Sequence, residues 1–133
     1  MAQSFSAQMK VFENLTANKA ENVFRRTCLD LSSGIIKGTP VDSGRARMNW
    51  QPDINSFADG EIQAEDKSGL ITIGKVTSTT TRLKAGSTFT ISNNLPYIEE
   101  LEYGHSKQSP QGMVRLNLLR FNQILQIANM EIK

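Results

Sequence analysis

The chain has 133 residues and a mass of 14.8 kDa, enough for one hydrophobic core and too short for two. Its hydrophobic content of 38% excludes disorder throughout, and a formal net charge of +2 lacks the clustered basic surplus that dedicated binding to DNA or an anionic membrane requires. A single cysteine, Cys28, and a single histidine, His105, permit no internal disulfide and leave almost no route to structural zinc.

No apolar run approaches the roughly 20 residues that cross a bilayer, and Met1–Phe5 lacks the basic and apolar regions of a secretory signal. The expectation is a reducing, cytoplasmic setting, in which the Asn14-Leu15-Thr16 acceptor pattern is a chance match. Ser, Thr, Asn and Gln make up 40 residues, so many contacts will be polar and uncharged.

In chain order, Phe5, Met9, Phe12, Ala20, Val23, Phe24, Cys28, Leu31 and Ile35 recur mainly at steps of three and four, the helical period. They read as one long helix, or two in series broken near Thr16–Lys19 or Ser32–Gly34, with one long helix preferred. Ser4 is its expected N-cap and Gly38 its C′ residue. From Gly38 to Arg45 the chain forms an ordered turn in which Pro40 fixes one dihedral, Asp42 caps the next turn and Gly44 takes positive φ. Met48–Ile54 and Leu70–Val76 have strand-like composition; Pro52 places the first at an edge, and Gly74 weakens the second. Thr77–Lys84 is ambiguous between strand, loop and a short helix closed by Gly86. Thr88–Ile91 alternates as a strand and ends at the turn Asn93-Asn94. Pro96 opens a short helix at its first position, placing Glu99 and Glu102 on one face. Last, Val114, Leu118, Phe121, Leu125, Ala128 and Ile132 form a stripe about 18 residues long, a helix expected to pack on a sheet.

Catalytic constellations are not legible. His105 is the only imidazole that could serve a nucleophile, and its neighbour Ser106 is poorly placed for a triad. The pair Glu99 and Glu102 answers a helix dipole at least as well as it answers acid and base work. Gly34 to Gly38 is followed by Thr39 rather than Lys, so the phosphate-loop pattern fails. Lys75, Arg82 and Lys84 have only Phe89 as an aromatic neighbour, and Arg45 and Arg47 only Trp50. The charges are blocked: residues 53–66 carry acids without a base, residues 67–84 bases without an acid, and Glu99, Glu100 and Glu102 precede Lys107, Arg115 and Arg120. Such blocks suit copies docking head to tail, or pairing within one monomer.

Two stretches carry a more specific signal. Pro40, Val41, Asp42, Gly44, Arg45 and Trp50 form the first; Asn93, Pro96, Tyr97, Glu102, Tyr103, Gly104, Pro110, Gly112 and Arg115 form the second. In order and separation they resemble the neck and tail-completion protein family of long-tailed bacteriophages, with mild departures at Ser43, Ala46 and Ile98. The resemblance implies a single α+β domain over residues 1–133, with a curved, mainly antiparallel sheet packed by long N-terminal and C-terminal helices. It implies a virion structural protein, assembled in the host cytoplasm, that forms a ring, expected to be six-fold, between the tail tube or tail terminator and the head-completion or connector protein. DNA passes through the ring's channel, so contact with nucleic acid would be non-specific proximity. No catalytic residue, cofactor or metal is implied. The expected contacts between subunits or with the neighbouring ring are Asp42, Arg45, Arg47, Tyr97, Glu99, Glu102, Tyr103, His105, Lys107, Gln108 and Arg115, with Arg45 and Arg47 pairing with Glu99 or Glu102 of the next copy. The competing reading has these residues brace their own monomer, with Tyr97 and Tyr103 buried in the core. A small nucleic-acid-binding or regulatory module is the rival function, ahead of an unrecognised hydrolase, and the sequence leaves open whether residues 70–84 are ordered before assembly.

Overall fold

A computed structural model describes residues 17–132. Ser4, Phe5, Met9 and Phe12, expected in the first helix, lie outside them. The described chain runs α1 (Ala17–Gly38), α2 (Arg45–Met48), β1 (Gln51–Ile54), α3 (Leu70–Thr81), β2 (Phe89–Ser92), α4 (Ile98–Glu102), α5 (Val114–Leu119) and α6 (Phe121–Glu131). The fold is therefore mixed helix and strand, with helix predominating. None of these helices is long and apolar enough to cross a membrane.

Over its 22 residues α1 is continuous through Ser32-Ser33-Gly34, as the one-helix reading expects. It runs along both core clusters: Val23 meets Leu125 and Ala128 of α6, while Ile35 and Ile36 pack with Trp50, Val76 and Met113. Gly38 differs from expectation. It is the last helical residue, without positive φ, and not the left-handed residue beyond the end. The turn is closed instead by Thr39, whose N–H donates to the Ile36 carbonyl (3.2 Å) and whose hydroxyl donates to the Ile35 carbonyl (2.7 Å). What Gly38 supplies is proximity. A Cβ there would stand 3.3 Å from Met113 Cβ, and one at Gly34 would stand 2.0 Å from Asn117 Oδ1. The two glycines, one turn apart, let the start of α5 lie directly on the α1 backbone.

The sheet pairs β1 with β2 antiparallel, Gln51 opposite Ser92 and Ile54 opposite Phe89. It has two strands among the described residues, which is much less than the curved sheet expected. The expected strand at Thr88–Ile91 is found one residue on, at Phe89–Ser92, the end of Met48–Ile54 is a strand as expected, and Pro52 is accommodated because β1 has a neighbour on one side only.

Leu70–Val76 is not a strand but the first part of α3, which runs on to Thr81, well ahead of Gly86. Composition misled here because β-branched residues are only weakly disfavoured in a helix, a preference that burial of one face overrides. Thr77, Thr79 and Thr81 each donate a side-chain hydrogen bond to the carbonyl four residues back, a mode compatible with helix. Thr72, Val76, Thr80 and Leu83 are buried at helical spacing, whereas Leu70 and Ile71 are exposed. Asp66 starts the helix. Its Oδ1 accepts from Gly69 N–H (3.1 Å), and its Oδ2 accepts from Thr72 N–H and the Thr72 hydroxyl (2.8 Å each).

The C-terminal stripe is also corrected. Arg120 N–H donates to the Asn117 carbonyl three residues back, and this tight turn divides the expected helix into α5 and α6. The turn resets the phase: Leu118 and Leu119 are exposed, while Asn117, Leu125 and Ala128 are buried. Both helices pack on α1 rather than on the sheet.

Two glycine substitutions test this packing with opposite signs. Gly34→Ala is expected to lower stability by about 1–3 kcal/mol, because buried Asn117 has no room to retreat. Gly74→Ala, in exposed α3 with nothing within 4 Å of the added carbon, is expected to raise it by about 0.5–1 kcal/mol. Denaturant midpoints of the two variants give the check.

Candidate functional site

The turn after α1 is built around Gly44. Its φ of 93° turns the chain into α2, and its carbonyl accepts both Met48 N–H (3.1 Å) and Asp66 N–H (2.9 Å). A Cβ there would lie 2.6 Å from Lys67 N, so both conformation and space demand glycine. Asp42 does not cap the next turn: it is exposed, and Ser43 Oγ accepts Arg45 N–H instead (3.3 Å). The loop running up to Asp66 is fixed by buried Asn49, which donates to the Arg45 and Ile62 carbonyls and accepts Ile62 N–H.

Arg47 and Arg45 have opposite surroundings. Arg47 donates to three carbonyls, Thr39 (3.0 Å), Lys67 (2.8 Å) and Lys37 (2.8 Å), and so closes the C-terminal end of α1 with a cation. Arg45 makes no side-chain hydrogen bond among the described residues. Its Nη2 stands 3.6 Å from Glu61 Oε1, and its Nε is buried without a partner.

In the second stretch Pro96 lies in the turn ahead of α4 and not at its first position, which belongs to Ile98. Glu99 and Glu102 part company. Glu99 is exposed, whereas Glu102 reaches the start of α5, where Oε1 accepts Met113 N–H (2.9 Å) and Val114 N–H (2.8 Å) and Oε2 accepts Arg115 N–H and Nε–H (3.0 Å each). Arg115 also donates to the Glu102 carbonyl and lies over the Tyr103 ring, 4.9 Å from its centroid. Gly112, at φ 80°, makes this approach possible, since a Cβ would collide with the Glu102 carbonyl. Glu102 thus acts as an N-terminal cap delivered from another helix.

Gln108 joins the two stretches. Its side-chain oxygen accepts Val41 N–H (2.8 Å) and its amide donates to the Val41 carbonyl (3.0 Å), a reciprocal pair that mimics one rung of a β-ladder. Beside this rung opens a cleft of about 290 Å³, lined by the Pro40–Ala46 turn together with Tyr97, Leu101, Ser106 and Gln108. Of the residues expected at contacts, Asp42, Arg45, Tyr97 and Gln108 line this cleft. Glu102, Tyr103 and Arg115 form the adjacent cluster, Arg47 turns inward, and Glu99, His105 and Lys107 are simply exposed. The tyrosine rings are not core residues: Tyr97 is 37% exposed and Tyr103 65%. Sequence reasoning missed Asn49, Asp66 and Leu101. Asp66 had a signal, an acid shortly before a Gly and a helical run, that a strand reading of that run concealed.

The electrostatics follow from these contacts. Burial acts to raise the Asp66 carboxyl, but hydrogen bonds from Thr72, Gly69 and Ser68 outweigh it and hold the group below the ordinary aspartate value. Burial likewise acts to raise Glu102, and donors from Val114, Arg115 and Met113 bring it below the ordinary glutamate value. Burial pushes the Cys28 thiol up to about 12, so it stays protonated and unreactive at neutral pH. No group of three His, Cys, Asp or Glu side chains among the described residues is placed to hold a metal ion. What the cleft offers is non-covalent: an underused guanidinium, an aromatic edge and apolar walls.

Both carboxyls have folded pKa values below their unfolded ones, so their contribution is present above the unfolded pKa and is lost as pH falls through the folded one. Wild-type protein is expected to lose stability on acidification through the carboxylate range. Glu102→Gln is expected to remove about 1–3 kcal/mol at neutral pH and to flatten that dependence, as followed by thermal melting across pH. In comparisons with family models, curated proteins and solved structures, none matches this chain.

Proposed function

We propose that the chain is a virion structural protein of a long-tailed phage. It closes a ring at the head-tail junction, between the tail tube or its terminator and the head-completion or connector protein, around the channel for DNA. One observation carries this reading. The two stretches that resemble the neck and tail-completion family meet through the Val41–Gln108 pair, 67 residues apart in sequence, and form a single surface cleft. The curved sheet packed by terminal helices that the resemblance implies belongs to the same proposal.

The contacts assigned to the ring are narrower than the sequence reading suggests. Arg47 and Glu102 are committed within the monomer, and an Arg47–Glu102 pair between copies would break six hydrogen bonds to backbone groups. Arg45, Tyr97 and the exposed Asp42, Glu99, His105 and Lys107 carry no such commitment.

Light scattering or native mass spectrometry of purified protein, alone and with isolated tail tubes, tests the reading. A closed ring, formed freely or only on tubes, is the expected result. A chain that stays monomeric in both conditions overturns the ring, and binding to short DNA with steep salt dependence favours the nucleic-acid-binding alternative.

A further inference from the structure

We propose that the outward face of α6 is an interface between copies of this chain, and that residues 1–16 of a second copy cover it. The inference rests on the ring reading and names a contact that would build the ring.

The face is defined by its lack of charge. At about 100° per residue, Ile127 and Met130 lie on the side of α6 opposite Leu125 and Ala128, so they point away from α1. Met130 is 78% exposed and Ile127 42%, and Leu119 at the end of α5, also 78% exposed, continues the patch. Gln123 and Gln126 between them are exposed and uncharged, and Arg120 stands at the rim. The single charged residue of α6, Glu131, is drawn off to Arg26 of α1 (2.6 Å). A helix face that meets only water carries charged residues as a rule, whereas depletion of charge around exposed Met is the composition of a protein interface.

The occupant is defined by its sequence and by its reach. Phe5, Met9 and Phe12 fall at steps of four and three, the spacing of one helical face, and the two charged residues of the segment, Lys10 and Glu13, fall off that face. Such a face is buried by packing on another apolar surface. The segment joins the described chain at Ala17, where α1 begins. Along α1, Gly38 meets Met113, Gly34 meets Asn117 and Val23 meets Ala128, so α1 and α6 run in opposite directions. Ala17 is therefore at the last turn of α6, but on its α1 side. A helix on the outward face would lie two interaxial distances from α1, about 16–20 Å. The five steps from Ala17 to Phe12 span at most about 16–18 Å when fully extended. A chain would bring its own Phe12 to this face only with the link drawn almost straight, whereas the segment of a neighbouring copy has no such tether. Segment and face are different surfaces of one chain, so the contact is heterologous and closes into a ring when its rotation permits.

Photocrosslinking of the intact chain tests this. A benzophenone-bearing phenylalanine analogue is incorporated at Phe12, and separately at Phe5, and the assembled protein is irradiated, on tail tubes where wild type assembles only there. The expected result is covalent dimers and higher multimers on denaturing gels, with the cross-link mapped by mass spectrometry to residues 119–130 of the other chain. Cross-links confined to one chain, or made between chains at other residues, overturn the assignment. In a second arm, Met130→Asp alters a largely exposed position, and thermal melting controls for folding. It is expected to raise the concentration at which the ring dissociates at least tenfold. Rings as stable as those of wild type overturn this contact and leave the ring reading standing. Wild type that is monomeric both alone and on tail tubes overturns both.

Discussion

Backbone groups that no ladder or helix pairs must find partners elsewhere when they are removed from water, and a sheet of two four-residue strands leaves many in that position. In this protein side chains supply the partners. Arg47 collects three carbonyls, Asn49 holds Ile62 by both its N–H and its carbonyl, Asp66 and Glu102 take the free N–H groups at the starts of α3 and α5, and Gln108 pairs with Val41. Charged and uncharged polar side chains share this task. They replace the sheet that a longer run of strands would have provided.

The apolar core is correspondingly modest and is organised by one helix. Because α1 passes through both clusters, the elements packed on it are aligned by touching it. Its Gly34 and Gly38 bring α5 in at backbone distance, which sets where Met113 enters the core and where Glu102 must be to meet the start of α5. Trp50 ties the same region from the other side, its indole N–H donating to the Thr39 hydroxyl (2.8 Å) that closes α1. The cleft is what remains between two loops that are each fixed by such contacts, and its shape is therefore set before any partner arrives.

That rigidity gives the proposed assembly its character. Docking of preformed surfaces needs little ordering, and specificity then rests on how few groups are left unmatched. Arg45 and Arg47, two residues apart, show the division: one guanidinium is saturated by its own chain, and the other stands half-buried at a surface cavity without a hydrogen bond among the described residues. The blocked charges of the sequence follow the same division. Part of them braces the monomer, through Asp66 at the start of α3, Lys75 on the Met48 carbonyl and Glu102 with Arg115, and part remains outward.

Local pattern alone determined the existence of α1, a strand overlapping Thr88–Ile91, and the left-handed glycine before Arg45, because each depends on neighbours within a few residues. The two stretches that form the cleft are likewise distinctive in the amino-acid sequence by itself. Other features depended on distant partners. Leu70–Val76 composes like a strand, but Asp66, which accepts the Gly69 and Thr72 N–H groups at its start, and the burial of Thr72 and Val76 on one face make it a helix. The stripe from Val114 to Ile132 has unbroken helical spacing, yet packing against α1 divides it at Arg120 and turns Leu118 outward. No local pattern distinguishes Arg45 from Arg47, or Glu99 from Glu102. Which of each pair is consumed by its own fold is decided by backbone carbonyls and N–H groups brought from other elements, and only the tertiary structure places those.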